Sequence, residues 1–226
     1  MTRTLESNDL PSLFEPGMRV YVGGSTNEPR GIIDALKQNP ACADGVTFVQ
    51  FPLPGVNVTD FTTLHPNARM EVFFLTPQLR DSFVEGRVAL IPMQMRQVFE
   101  YLRDCEPFDL TIIQLAAADG NAHTPGPNVD FLEAVIDNAG AVLAEVNADL
   151  PRLPDAPRVP RERVDYAFPT STSIPEYPAA ETNSVARAIG SHVATLVADG
   201  ACIQTGIGAI PAAVLDALGD KNDLGV

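Results

Sequence analysis

Short apolar runs alternate along this chain with stretches whose apolar residues recur every three or four positions. The runs Arg19 to Val22, Val46 to Phe51, Glu71 to Leu75, Val88 to Ile91, Leu110 to Leu115 and Ala141 to Val146 have strand length and β-branched content. Between them, Arg30 to Gln38, Pro77 to Glu85, Gln94 to Arg103 and Val129 to Asn138 carry helical periodicity. Apolar runs alternating with helical patterns predict an α/β fold, a largely parallel sheet flanked by helices.

The pattern changes after Asn147. From there to Pro178 the chain holds seven prolines and little periodicity, which predicts a long surface connection closing a first domain over residues 1–178. Its arginines, Arg152, Arg158, Arg161 and Arg163, read as solvated charges or as phosphate contacts. Residues 179–226 then offer a helix near Asn183 to Val197, a strand at Ala201 to Gln204 and a helix at Pro211 to Leu218. One buried strand with two helices cannot cover its own apolar faces. The segment therefore reads as the start of a second, similar domain, truncated, or as a unit that packs on the first.

Charge narrows the function. Of 226 residues only 15 are lysine or arginine, and the formal net charge is −14, which disfavours nucleic acid and anionic membrane as partners. The same charge repels a polyanionic cofactor, so any such ligand must be held by local amides or a small basic cluster. No apolar run is long enough to span a membrane, and the first residues lack an export pattern. Three widely spaced cysteines, Cys42, Cys105 and Cys202, suggest free thiols in a reducing cytoplasm, with Cys202 packed in its apolar strand.

The most informative segment is Gln204-Thr205-Gly206-Ile207-Gly208-Ala209-Ile210-Pro211. A glycine pair between an apolar strand and a helix opened by proline builds a backbone anion site, because proline at the first helical position forgoes an amide that has no partner there. Gly206 and Gly208 permit close ligand approach. Free amides at the positive end of the helix dipole favour a carboxylate, a phosphate or a developing oxyanion. A tight turn without a ligand is the plain alternative. A dinucleotide fingerprint fits worse, since Pro211 stands where its third glycine would be.

A second loop of the same architecture, Gly23-Gly24-Ser25-Thr26-Asn27-Glu28-Pro29, follows the first strand and opens a helix, where Ser25, Thr26 or Asn27 also suits a helix cap. Phe51-Pro52-Leu53-Pro54-Gly55-Val56-Asn57 follows the next strand and is expected to line the same cleft, its apolar residues against an acyl chain. His65 and His123 lie in loops and are candidates to touch substrate or plain surface histidines; His192 belongs to a helix and reads as structural. There is no hydrolase elbow, no P-loop and no clustered cysteine–histidine set for a metal.

These segments together resemble the acetyl-CoA hydrolase/transferase family, which includes 4-hydroxybutyrate and butyrate CoA-transferases. The resemblance is carried by Val22 to Pro29, by Leu79-Arg80-Asp81-Ser82-Phe83-Val84-Glu85-Gly86-Arg87-Val88 through Ile91-Pro92, by Phe108 to Gln114, by Ala144-Glu145-Val146-Asn147 with Leu150-Pro151-Arg152, and by Asp199 to Gly225. It implies a class I CoA-transferase-like fold, coenzyme A as a substrate with no metal, an acyl-CoA and a small carboxylic acid as partners, and a homodimer. It also implies transfer through a glutamyl-CoA thioester, on a glutamate a few positions beyond the segment matching Leu224-Gly225, past the last residue here. The backbone amides of Ile207 and Gly208 would meet the oxyanion. Gly23, Gly24, Ser25, Asn27, Pro54, Gly55, His123, Gln204 and Gly206 would line the substrate site. Asn27, where the family has a small apolar residue, and His123-Thr124-Pro125, where it has a Ser-Leu-Gly run, depart from the pattern and put acetate or butyrate in doubt as substrate. An acyl-CoA hydrolase is the near alternative, a noncatalytic nucleotide- or carboxylate-binding subunit a more distant one, and a nicotinamide-dependent oxidoreductase more distant still.

Overall fold

The structure, a computed structural model, describes residues 2–176 and 181–226. These fall into two compact units, Met1–Glu176 and Tyr177–Val226.

In the first unit the strands are β1 (Arg3–Thr4), β2 (Arg19–Val22), β3 (Thr47–Gln50), β4 (Arg69–Val72), β5 (Val88–Leu90), β6 (Leu110–Ala116), β7 (Ala122–His123), β8 (Val142–Asn147), β9 (Val159–Pro160) and β10 (Tyr166–Thr170). Its α-helices are α1 (Arg30–Gln38), α2 (Arg80–Val84), α3 (Met95–Asp104) and α4 (Leu132–Asp137). Eight of the strands form one sheet in the order β1-β10-β8-β6-β2-β3-β4-β5, with every pairing parallel. The order in which strands are added reverses at β2. Successive strands run outward to β5 on one side of it, then resume with β6 on its other side and run outward to β10.

Alternate side chains of the strands feed two cores, as a pleated strand requires. Val20, Val22, Phe48, Met70 and Ile112 face one core, which α1 closes with Ile32, Ile33 and Leu36. Tyr21, Val49, Ile113, Leu115 and Ala144 face the other, closed by Val98 and Leu102 of α3 and by Leu132, Val135 and Ile136 of α4. Every residue of β6 is buried, the mark of a central parallel strand covered on both faces.

Two expectations for this unit change. The proline-rich stretch after Asn147 is not all surface connection: Tyr166–Thr170 joins the sheet beside β8, from Tyr166 opposite Leu143 to Thr170 opposite Asn147. Pro169 is tolerated because β1 pairs only with Tyr166 and Ala167, so beyond Ala167 the strand is an edge where a missing amide breaks no ladder. Val159–Pro160 also pairs antiparallel with β7. The helix expected from Val129 begins only at Leu132, because Asp130 sits in the left-handed region at φ 42° and breaks the turn before it.

In the second unit, α5 (Ser184–Ala194) is capped by the Asn183 carboxamide, which accepts from the Ala186 amide at 2.8 Å. Helix α6 (Ala209–Asp216) starts two residues earlier than expected, which puts Pro211 third rather than first; an amide there still lacks an intrahelical acceptor, so the proline costs nothing. Ala201–Gln204 pairs with Gly225 through Ile203 N–H (2.9 Å) and the Gly225 amide (3.0 Å to Ala201 O), an isolated parallel bridge rather than a full strand. Cys202 is consequently exposed and not the packed residue expected. The two helices approach closely at Gly190, where a Cβ would collide with the Ala213 carbonyl, its carbon 2.6 Å away.

Buried Glu145 ties α1 to the sheet. Its Oε2 accepts from the Ile32 amide in the first turn of α1 at 3.0 Å, and its Oε1 accepts from the Thr170 hydroxyl at 2.9 Å. A carboxylate at a helix amino terminus is favoured by the dipole, yet burial still pushes this one above its ordinary value. Glu145→Ala is expected to lower unfolding free energy by about 3 kcal/mol, through a cavity and an unpartnered Ile32 amide, and Glu145→Gln by about 1 kcal/mol, in denaturant titration. Gly190→Ala is expected to raise amide exchange in α5 and α6 about tenfold or more, with β2 and β6 amides unchanged.

Candidate active site

In open α/β sheets ligands bind outside the carboxyl ends of the strands, where the strand order reverses. Here that point lies between β2 and β6, and the Gly23-Gly24 loop leaves it. The Gly23 amide donates to Ile112 O of β6 at 2.8 Å. At Gly24 a side chain is forbidden, since a Cβ would collide with the Phe51 carbonyl oxygen. Ser25, at φ 53°, begins a single 3-10 turn through Asn27. Asn57 clamps this loop to the one after β3: its Oδ1 accepts from the amides of Ser25 (2.8 Å) and Leu53 (2.7 Å), and its Nδ2 donates to Ser25 O (3.0 Å). Pro54 and Gly55 ride on the clamped loop, Gly55 exposed and at φ 79°.

Beneath the loops lies a row of buried polar side chains that sequence reading did not single out. Gln50 at the end of β3 donates to Gly23 O at 3.2 Å and to Glu28 Oε1 at 3.4 Å. Gln114 of β6 donates to Glu28 O at 3.4 Å and accepts from Asn147 Nδ2 at 2.7 Å. Glu28 is 3% exposed, and burial pushes its carboxyl up against the opposing pull of Asn57 and of Arg30, whose Nε is 3.8 Å away. The only signal available beforehand was Gln50 and Gln114 standing inside runs otherwise fit for a core, and Asn147 at the end of another.

A half-open pocket adjoins the row. Tyr21, Gly23, Gly24, Asn27, Gln114 and Asp130 are among its walls, and its interior of about 20 Å³ is the size of one water. Asn27 is buried; its Nδ2 donates to Asn128 O at 2.5 Å, while its Oδ1 has no partner among the described residues. Asp130 Oδ2 is buried and equally unpartnered there, and burial pushes this carboxyl up to about 6. Tyr21 is 2% exposed, its phenol held well above the ordinary value first by burial and then by the Asp130 charge.

The second unit holds the other glycine loop. Among the described residues, the amides of Thr205, Gly206, Ile207 and Gly208 donate to no protein acceptor. Gly208 caps α6 at φ 130° and ψ 178°, a conformation open in practice to glycine alone. Gln204, Thr205 and Gly206 edge a groove of about 250 Å³ floored by Ile203, Val214 and Leu218. Unbonded amides at a helix amino terminus are the arrangement with which proteins commonly hold anions.

Gly23, Gly24 and Asn27 thus share one pocket, with Ser25, Pro54 and Gly55 on the loops beside it. Gln204, Gly206, Ile207 and Gly208 form a separate loop in the second unit. His123 is buried at 5% exposure in β7, bonded through Nδ1 to Ala116 O at 2.9 Å, and is not among the pocket walls. His65 sits 3.2 Å from Asp44 in a surface pair. Arg158 donates to Asp119 O and Arg163 to Asp137, so both serve the local fold. Among the described residues no three metal-ligating side chains cluster, and no helix is long and apolar enough to cross a membrane.

Residues 2–172 match the acetyl-CoA hydrolase/transferase N-terminal domain. The 4-hydroxybutyrate coenzyme A transferase of Clostridium kluyveri is 29% identical over 217 residues, 95% of this chain and 51% of that protein. The succinyl-CoA:acetate/propanoyl-CoA:succinate CoA transferase of Fasciola hepatica is 28% identical over 216 residues, 94% of this chain and 45% of that protein. The chain therefore spans about half the length of these relatives. RipA from Yersinia pestis has the same fold, with a TM-score of 0.85 at 22% identity over 99% of this chain and 55% of that one. So has 4-hydroxybutyrate CoA-transferase from Porphyromonas gingivalis, with a TM-score of 0.75 at 21% identity over 99% and 53%. With its parallel sheet, its glycine loops at strand ends and this match across the first unit, the chain belongs to the acetyl-CoA hydrolase/transferase family.

Proposed function

We propose that this chain carries substrate and oxyanion sites of an acyl-CoA:carboxylate CoA-transferase. The observation that carries the reading is the run of unbonded amides from Thr205 to Gly208 at the amino terminus of α6, in a member of this family. In the proposed reaction a glutamate carboxylate attacks the thioester carbonyl, forming a mixed anhydride and releasing CoA thiolate. The thiolate then attacks the glutamyl carbonyl, which yields a glutamyl-CoA thioester and frees the first acid. An acceptor carboxylate runs both steps in reverse. The nucleophile is assigned to a glutamate that follows the Leu224-Gly225 segment in the family.

Each step passes through a tetrahedral intermediate bearing negative charge on oxygen. Amides fixed at a helix terminus stabilise that charge without reorganising, the usual source of the largest catalytic term in acyl transfer. The assignment is to the Ile207 and Gly208 amides. Gly23, Gly24, Ser25 and Asn27 are assigned to the acyl or carboxylate partner, with Pro54, Gly55, His123, Gln204 and Gly206 completing the proposed set. A homodimer is part of the same reading. Hydrolysis of acyl-CoA differs only in water intercepting the anhydride or thioester.

The deciding test is intact mass, before and after brief incubation of the natively purified protein with a short acyl-CoA. A CoA-sized adduct on a glutamate in a protein heavier than 24.2 kDa is the expected result; an unmodified protein that exchanges no CoA between acids sinks the transferase reading. Gly208→Val is expected to reduce turnover by about a hundredfold or more, because it strains the loop and fills the anion site, while the first unit's unfolding is unchanged. Ile207→Ala, which keeps the amide, is expected to retain activity within about threefold; a loss equal to that of Gly208→Val would shift the role from backbone to side chain.

A further inference from the structure

The pocket beside Gly23 and Gly24 has an interior of about 20 Å³, whereas the groove on the far side of one of its walls holds about 400 Å³. Val129 and Leu132 border both spaces. The groove is lined from α4, from the residues before it and from β9: Val129, Leu132, Ile136, Pro157, Val159 and Pro160 make its apolar walls. Its charged members balance, Arg158 and Arg163 against Glu133 and Asp137, with Arg163 paired to Asp137 at 2.8 Å. A groove with apolar walls and no net charge offers little to an ion and suits an uncharged alkyl chain.

A chain entering beside Gly23 reaches the groove only if the wall between the two spaces yields. On the glycine side nothing gives way: Gly24 is pressed against the Phe51 carbonyl, the Gly23 amide is bonded to Ile112 O, and the Gln114 carboxamide is committed to Glu28 O and to Asn147. The strap from Gly126 to Asp130 is held far more lightly. Among the described residues none of its amides donates to a protein acceptor, and two hydrogen bonds tie it down, Asn27 Nδ2 to Asn128 O and the Leu132 amide to Val129 O. Left-handed residues stand at both ends, Gly126 at φ 71° and Asp130 at φ 42°, and apolar Val129 between them is 40% exposed. Phe131, buried with its ring 5.4 Å from that of Phe51, anchors the chain beyond. A segment so sparsely bonded opens locally at a small fraction of the cost of unfolding. We propose that the strap is a gate, and that its opening joins pocket and groove into one channel for the tail of a medium-chain acyl group, with Val129 as the residue that sets the accepted length. While the gate is closed the pocket has room for one water, enough to satisfy Asn27 Oδ1 and Asp130 Oδ2, and an entering chain displaces it. The proposal rests on the acyl-CoA reading for the thioester, and on the strap and groove for the channel.

Two measurements on the full chain test it. The first is thiol labelling by iodoacetamide, read by peptide mass so that the native cysteines are told apart. Ile113→Cys places a thiol on the pocket wall, and Val98→Cys places one in the same core away from any pocket; both positions are buried. The pocket thiol is expected to react at least about tenfold faster, and equal rates overturn the gate. The second is titration calorimetry with straight-chain acyl-CoA thioesters from acetyl to decanoyl. Each methylene beyond butanoyl is expected to tighten binding about two- to fourfold, and Val129→Trp, which plugs the junction from a half-exposed position, to erase that gain. Thioesters that all bind with no gain beyond butanoyl, or with a gain that survives Val129→Trp, overturn the channel and leave the CoA reading intact. If no thioester binds, protection of the Ile113→Cys thiol is followed with free straight-chain alkanoates of the same lengths. Protection that grows with chain length keeps the channel and removes the CoA reading, and no protection removes both.

Discussion

Four polar side chains, Gln50, Gln114, Glu145 and Asn147, stand buried toward the carboxyl ends of β3, β6 and β8, the strands around β2, in a sheet covered by apolar layers on both faces. Such groups are tolerated only if they are hydrogen-bonded. Their bonds go to the polypeptide that follows β2: Gln50 holds Gly23 O and Glu28, Gln114 holds Glu28 O, and Glu145 holds the Ile32 amide. Asn147 ties the row together through Gln114 and reaches on to Thr172 O at 2.7 Å. The need to satisfy polar groups inside the sheet thereby dictates the path of the first glycine loop and the start of α1. A site so backed is organised before any ligand arrives.

Much of this frame was legible because local and global signals agree. Arg30 to Gln38 was readable to the residue: its apolar positions 32, 33 and 36 fall on one helical face and all three side chains reach the core. The strands from β2 to β8 that pair within the main sheet are runs fit for burial on both faces, and they form in sequence order outward from β2. The last strand was not legible, because Pro169 and the prolines around it outweigh a five-residue strand in any local count. The short β1 was invisible for a simpler reason, since its two residues are exposed and owe their conformation to β10.

The candidate site divides in the same way. Gly24 and Gly208 announced themselves because only glycine fits a loop pressed against a carbonyl or held at φ 130°. Asn27 was visible as an odd residue in a familiar loop. Asp130 was not, for it lies in what the pattern presents as the first turn of a helix, and its left-handed backbone and buried oxygen come from the packing around it. His123 differs again: the glycine and proline around it suggest a loop, whereas it is buried in β7, opposite Val159 of β9, with its Nδ1 bonded to the Ala116 carbonyl. Sequence reports where the backbone must be special, and it is nearly silent on which ordinary polar residues will be drawn under the surface.

The carboxyl groups of the first unit carry a consequence for its response to acid. Burial raises the proton affinity of Glu28, Glu145 and Asp130, the last to about 6. Acid unfolding ordinarily draws on carboxylates that the folded state holds below their unfolded values; these three have the reverse sign. The folded chain binds their protons more tightly than the unfolded chain does. Their contribution to stability is complete below the unfolded value near 4 and is lost as pH rises, for Asp130 as pH passes about 6. Mild acidification from neutrality accordingly firms the loop that carries Asp130, and it relieves part of the self-repulsion of a chain bearing a net charge of −14.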